Sequence, residues 1–194
     1  INFFPALPKS KTQAIEKLEI GIGGKVWVKF KKCLWGDYWG FMNDGFIVMY
    51  CAAGYFNGPE ANKIIEGFVM GEEAEIFTKL SKEEQKKVLK KDLQVFFGKE
   101  DFDENYVDHY YFGWESVPDI AGAYAYPKTA DAANLRKALA ETVDKKVYFA
   151  GEATDFTGYA QALTGAFHSG IRVAEEIIKN LGKQSIHTYC KVWW

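Results

Sequence analysis

The chain has 194 residues, 48% apolar and 26% charged, with a formal net charge of −2. That length supports one good-sized core, and the composition is ordinary for a soluble globular protein. A near-neutral balance with no basic stripe argues against a nucleic-acid binder, and no apolar run approaches the length that spans a membrane.

Aromatic residues reach 16%. This predicts aromatic core packing or an aromatic-lined pocket. Cys33, Cys51 and Cys190 are widely spaced, an odd set with no metal-ligand spacing. They read as reduced thiols, compatible with a cytoplasmic setting, and no segment specifies a compartment. The chain opens on Ile1, so an address or a preceding segment can lie outside it.

In chain order, residues 1–7 are an apolar extended start stopped by Pro5 and Pro8. Ser10 is the expected N-cap of a short helix through Ala14, Ile15 and Leu18. Val26, Val28 and Phe30 alternate with Trp27 and Lys29, so Lys25–Phe30 reads as a strand. Cys33–Trp39 is an aromatic loop, and Phe46–Ala52 is a nearly continuous apolar strand, expected to be central. Gly54–Pro59 is a loop. Ile64–Met70 is a strand interrupted by Gly67, and Gly71 turns it into a helix over Glu72–Leu80.

Ser81 with Glu84 is a capping box opening a helix to Phe97, with Val88, Leu89, Leu93 and Phe96 on one face. Its lysines read as a solvated face. Asp101–Asn105 is expected to be an acidic loop and Tyr106–Trp114 a fourth strand. Val117–Tyr126 reads as irregular and Asp131–Leu139 as helical. Val147–Ala150 is expected to be a buried strand lying apart from the other four. Gly151 and Glu152 end it. A polar loop then leads to a helix carrying Ala162, Ala166, Ile171, Val173, Ala174 and Ile177.

Strand, glycine, acid, loop and helix form a unit that can hold an anionic cofactor. The helix N-terminus offers unpaired N–H groups and partial positive charge, and the acid accepts bonds from cofactor hydroxyls. The spacing G-x-G-x-x-G, which marks a dinucleotide cradle, occurs nowhere in the sequence.

The strings FAGEAT, GAFHSG and IRVAEEI in residues 145–178 resemble the last FAD-binding segment of the flavin-containing amine oxidases. Three more stretches are similar to that family in order and spacing. Phe3–Ile15 looks like its F-x-P-x-L-P-x-x-K-x-x-A-I segment, ahead of a lysine-bearing strand. Phe68–Gly98 resembles its strand, glycine and two helices, the second ending at Phe-Gly. Trp114–Tyr126 resembles its W-x-x-x-P-x-x-x-G-S-Y segment, with Ala123 in place of Ser.

The resemblance implies an α/β fold: a mixed sheet with helices on one face, plus the closing strand and helix of an FAD-binding, Rossmann-like domain. It implies a link over 1–7, a substrate-binding domain over 8–113, an FAD-domain segment over 114–180 and a tail over 181–194. Lys25 falls where the family holds a water against the flavin. From the residues alone it is a snorkelling strand-end lysine, whose charge must be paired if it is buried. Tyr124 falls on one wall of an aromatic cage for the amine. The second wall is Tyr159 or Ala162, depending on how the altered 160–164 loop is counted. Trp114 falls near the flavin or in the core. Glu152, after Gly151, engages the ribityl–pyrophosphate region, and the helix N-terminus at Ala162 and Leu163 faces the flavin. His168 reads as a packing residue.

The implied activity is FAD-dependent oxidation of a polyamine-like amine, with oxygen reduced to hydrogen peroxide. The implied partners are the amine and a second polypeptide, or a missing N-terminal half, carrying the diphosphate cradle. The alternative is a non-catalytic structural or interaction module that keeps this fold.

Overall fold

The computed structural model describes residues 2–38, 40–42, 44–52, 58, 61–120, 122–127 and 129–182. Helix α1 (Lys9–Lys17) runs into β1 (Leu18–Gly21), followed by β2 (Gly23–Phe30), β3 (Gly40–Met42), β4 (Met49–Ala52) and β5 (Ile64–Met70). Helices α2 (Gly71–Lys79), α3 (Lys82–Phe97) and α4 (Lys99–Asn105) come next, then β6 (Tyr106–Gly113) and β7 (Tyr124–Pro127). Helices α5 (Ala132–Ala140) and α6 (Leu163–Asn180) complete the α/β fold. The expected loop at 54–59 lies outside the described residues except Gly58, and Trp39, Cys190 and most of the tail lie outside them too.

The chain divides into two compact units. One is Gly21–Ala123; the other combines residues up to Ile20 with those from Tyr124. Helix α1 therefore groups with the C-terminal segment, a division different from the sequence boundaries at 8–113 and 114–180.

The central unit is an open five-stranded sheet in the order β3-β4-β5-β2-β6. All four ladders are antiparallel, where a mixed sheet was expected. The connection through α2, α3 and α4 carries β5 to β6, on either side of β2. Both are antiparallel to β2, so they are parallel to each other without being neighbours. Alternation on β2 sends Val26, Val28 and Phe30 to the helix side. There they pack with Ile65, Val69, Phe77, Leu89, Leu93 and Phe102, all essentially fully buried. Three rings surround Phe30 edge-on: Trp35, Phe97 and Phe102.

The expected strand Phe46–Ala52 is shortened to Met49–Ala52. Asp92, buried on α3, takes the Phe46 N–H at 3.1 Å and the Ile47 N–H at 2.7 Å, and the Tyr50 hydroxyl donates to it at 3.2 Å. N–H groups committed to a carboxylate cannot join a ladder. Burial first, and then Asp92, push the Tyr50 hydroxyl well above the usual phenol range. The expected loop at 101–105 is helical. Gly98 takes a positive φ between α3 and α4, and Phe102 turns into the core. The Ser81–Glu84 capping box is present in both directions. Helix α1 starts one residue before Ser10, with Pro8 at the cap, and ends before Leu18. β3, β1 and β7 are additional to the strands read from the sequence.

In the second unit, β1 and β7 form a two-stranded sheet. Its apolar core is small: Ala14, Leu18 and Leu135. Val147–Ala150 is not a strand: Val147–Phe149 is half-buried, Ala150 is exposed, and a single bridge joins Val143 to Val147. Its polar groups go elsewhere. Arg172 Nη2 donates to the Phe149 carbonyl at 2.8 Å, and the Gly151 N–H donates to Ser169 Oγ at 2.8 Å.

Candidate functional site

Lys25 and Trp114 belong to the central unit; Tyr124, Gly151, Glu152, Tyr159, Ala162 and Leu163 belong to the other. Each set has its own local geometry.

On the central sheet, Lys25 sits on the face opposite the helices. Its ammonium meets Glu66 Oε1 at 2.6 Å, and the side chain is 40% exposed. The charge is therefore paired, as a lysine on a partly covered sheet face requires. Across the ladder Lys25 stands opposite Phe112, whose ring meets Trp114 edge-on at 5.0 Å. Trp114 opens a single 3₁₀ turn and is 43% exposed, so it is not a core tryptophan.

In the second unit, Glu152 is the hub. Its Oε1 accepts the Ala125 N–H at 2.7 Å and its Oε2 accepts the Gln161 N–H at 2.8 Å. Arg136 Nη1 lies 3.7 Å from Oε2. One carboxylate thus ties β7, just after Tyr124, to the loop before α6. Two backbone donors fill only part of a carboxylate's acceptor capacity, so acceptor sites remain for cofactor hydroxyls. Gly151 has φ 130°, and nothing lies within 4 Å of where a Cβ would stand. That open space, beside an acid with spare acceptor sites, fits one edge of a nucleotide cofactor. Tyr124 is half-buried, and burial first, then nearby Tyr126, raises its hydroxyl pKa.

Tyr159 is 52% exposed, and its ring stands edge-on to His168 at 5.3 Å. Its carbonyl presses on α6 at Gly165, where a Cβ would come within 2.2 Å of that oxygen. Only glycine allows this approach. Ala162 is the N-cap of α6, with no side chain capping the helix, and Leu163 is 86% exposed. His168 packs against Tyr159 and Phe167, as the sequence implied.

Four residues that hold this geometry escaped the sequence reading. Arg136, 5% exposed, donates to the carbonyls of Glu152, Ala153 and Ala125. Asp155 accepts from Thr157 and from the Tyr159 N–H and fixes the loop. Burial alone would raise its pKa, but those hydrogen bonds outweigh burial and lower it. Gln161 adopts φ 66°, and its amide donates to the Ala125 carbonyl at 2.9 Å. Lys11, the lysine of the first motif, is 1% exposed. It donates to the Ala138 and Leu139 carbonyls and lies over the Phe149 ring at 3.8 Å. It thereby closes the C-terminal end of α5. Burial first, with Arg172 assisting, lowers its pKa against the opposing pull of Glu141. Only Lys11 had a sequence signal, as a lysine fixed in an apolar motif.

Among the described residues no group of His, Cys, Asp and Glu could hold a metal, and no helix is long and apolar enough to cross a membrane.

The model of the family "Flavin containing amine oxidoreductase" matches residues 1–178. The chain belongs to this family. Among its relatives, Lysine-specific histone demethylase 1 homolog 1 of Arabidopsis thaliana is 30% identical over 190 residues. That match covers 92% of this chain and 22% of the relative. "Probable polyamine oxidase 4" of the same plant is 28% identical, over 90% of this chain and 34% of its own length. The chain therefore spans between about a fifth and a third of these relatives. The solved cyclohexylamine oxidase from Brevibacterium oxydans IH-35A shares the fold, with a TM-score of 0.76 at 21% identity. It is matched over 94% of this chain and 40% of that one.

Proposed function

We propose that this chain is part of an FAD-dependent oxidase acting on a polyamine-like amine. What supports the reading most is the Glu152 hub: Gly151, Glu152 and the uncapped start of α6 follow one another within a family match that reaches residue 178. FAD, when bound, would accept a hydride equivalent from the carbon next to the amine nitrogen, and oxygen would then take two electrons and two protons to give hydrogen peroxide. Water hydrolyses the imine product. In this reading Tyr124 and Tyr159 supply ring faces that attract and orient the amine. Glu152 receives cofactor hydroxyls, the start of α6 lends partial positive charge, and Lys25 holds a water for proton movement.

The cradle for the FAD diphosphate is proposed to lie on other sequence, whether a second polypeptide or a further segment of the same one. The exposed stripe of Leu163, Phe167 and Ile171 on α6, with the run 147–150, is the surface that such a partner would cover. A non-catalytic module is the second reading, favoured by the strained loop at Gln161, which departs from the family pattern.

The absorption spectrum of the protein with whatever copurifies separates the two. The oxidase reading expects flavin bands that bleach when an amine is added anaerobically. An intact assembly without flavin overturns it. In the flavin-loaded assembly, Lys25→Met should leave the cofactor bound and slow turnover or reoxidation by about tenfold, roughly 1.4 kcal/mol of barrier. Unchanged kinetics would return Lys25 to a purely structural part.

A further inference from the structure

We propose that Glu66 is the positioning residue of Lys25, held in place by Trp27. The register sets this up. Lys25 and Trp27 are two residues apart on β2 and share the sheet face away from the helices. Glu66 on β5 stands directly opposite Trp27, and Lys25 stands opposite Phe68. The acid is thus straight across from the indole and diagonal to the lysine. Both reach it. Lys25 Nζ donates to Oε1 at 2.6 Å and Trp27 Nε1 donates to Oε2 at 2.8 Å.

One donor on each oxygen stops the carboxylate from turning. The indole is fixed in turn, stacked on Tyr110 of β6 at 6.1 Å and 18°. Tyr110, Trp27, Glu66 and Lys25 therefore form a chain across three strands, with a charge-assisted bond to the ammonium at its end. Ile64–Met70 reads IIEGFVM, and a glutamate is out of place in so apolar a strand. Its side chain is only 21% exposed. Because the Lys25 end of the pair is 40% exposed, the pair contributes little to stability, and its consequence is orientation. An ammonium carries three donors. Glu66 takes one in a fixed direction and leaves two for a water or a reacting group. This inference deepens the oxidase reading and rests on it for the purpose of Lys25; the pairing itself needs no cofactor.

The test is competitive acetylation of the 194-residue chain with trace acetic anhydride, read residue by residue by mass spectrometry. An ammonium held by a carboxylate must leave it and lose a proton before the free amine can attack the anhydride. Lys25 should therefore label more slowly than Lys29, which lies exposed on the same face of the same strand. In Glu66→Gln the Lys25 rate should rise roughly two- to fivefold while Lys29 stays constant. Trp27→Phe, which frees the carboxylate to turn, should raise the Lys25 rate by less. Unchanged Lys25 labelling in Glu66→Gln overturns the proposal. If that variant unfolds, all lysines will rise together, and Trp27→Phe decides, with an unchanged Lys25 rate again contradicting the role.

A second arm uses the flavin-containing assembly. There Glu66→Gln should shift the pH profile of flavin reoxidation without changing KM, which a merely structural residue would not do. An assembly whose wild type shows no amine-dependent flavin reduction contradicts the oxidase reading alone. The labelling arm still decides the pairing.

Discussion

The two compact units are held together by different physics. Gly21–Ala123 buries a continuous apolar layer between a sheet and three helices, with Phe30, Phe77, Leu89 and Phe102 at its centre. The other unit has three small or medium apolar residues in its core and relies on cations, of which Lys11 and Arg136 are buried and Arg172 is half-buried. Lys11, Arg136 and Arg172 donate to at least seven backbone carbonyls: Ala138 and Leu139; Glu152, Ala153 and Ala125; Ala140 and Phe149. Apart from that of Ala125 on β7, those carbonyls lie outside any strand and have no ladder to join, and an unpaired buried carbonyl is costly. The unit that carries most of the candidate cofactor residues is therefore organised by direction rather than by volume. Charge-assisted bonds fix the Glu152 hub where apolar packing is thin.

The largest effect should come from the apolar layer. Phe77→Ala removes a fully buried ring and should cost about 3–5 kcal/mol. Amide exchange should rise throughout 21–123. A loss under about 1 kcal/mol would show that the layer is not the main stabiliser.

Much of this unit was legible in the sequence, because apolar alternation and capping chemistry are local. β5 was read to the residue, and the Ser81–Glu84 box gave the start of α3. What escaped is non-local. Asp92 is far from Phe46 and Ile47 in the chain, and nothing in the string FIVMY tells that two of its N–H groups are already taken. In the other unit the motifs located Gly151, Glu152 and the start of α6. The failure at 147–150 has the same non-local cause: Arg172 and Ser169 claim its polar groups from α6. Glu66 as the partner of Lys25 was equally hidden, because cross-strand register is invisible before the strands are paired.

Arg136→Met sharpens the comparison from the other side. It keeps bulk but strands three carbonyls and leaves Glu152 without its nearby cation. The expected cost is about 2–4 kcal/mol, with faster exchange confined to 125–127 and 152–161. A neutral result would mean that packing, not direction, holds the hub. Ser169→Ala should cost less, about 1–2 kcal/mol, by removing the only acceptor described for the Gly151 N–H. Its signature is faster exchange at Gly151 itself.

The smallest effect separates the units by pH. His109, buried between Tyr106 and Gln85, has its pKa lowered by burial first and then by Lys82, with Asp108 and Glu83 opposing. A depressed folded value means that the unfolded chain takes the proton first. The stability from His109 is whole above the ordinary 6.5 and is lost as pH falls from there through the folded value. Asp155 in the other unit has a lowered carboxyl pKa, so its contribution is whole above the ordinary 3.8 and is lost only below it. Exchange followed from pH 7 downward should therefore loosen 21–123 first. Simultaneous loosening, or the reverse order, breaks the comparison.

In the proposed reading the Glu152 hub is one part of a cofactor site completed by sequence outside these residues. Titration of FAD into the isolated chain, followed by flavin fluorescence or calorimetry, tests it most directly. With the diphosphate cradle proposed to lie on other sequence, several charge-assisted hydrogen bonds of about 1.5–3 kcal/mol each would be missing from this chain. No saturable binding is expected in the micromolar range. Binding at micromolar affinity or tighter would show that the chain carries a self-sufficient site and would contradict it.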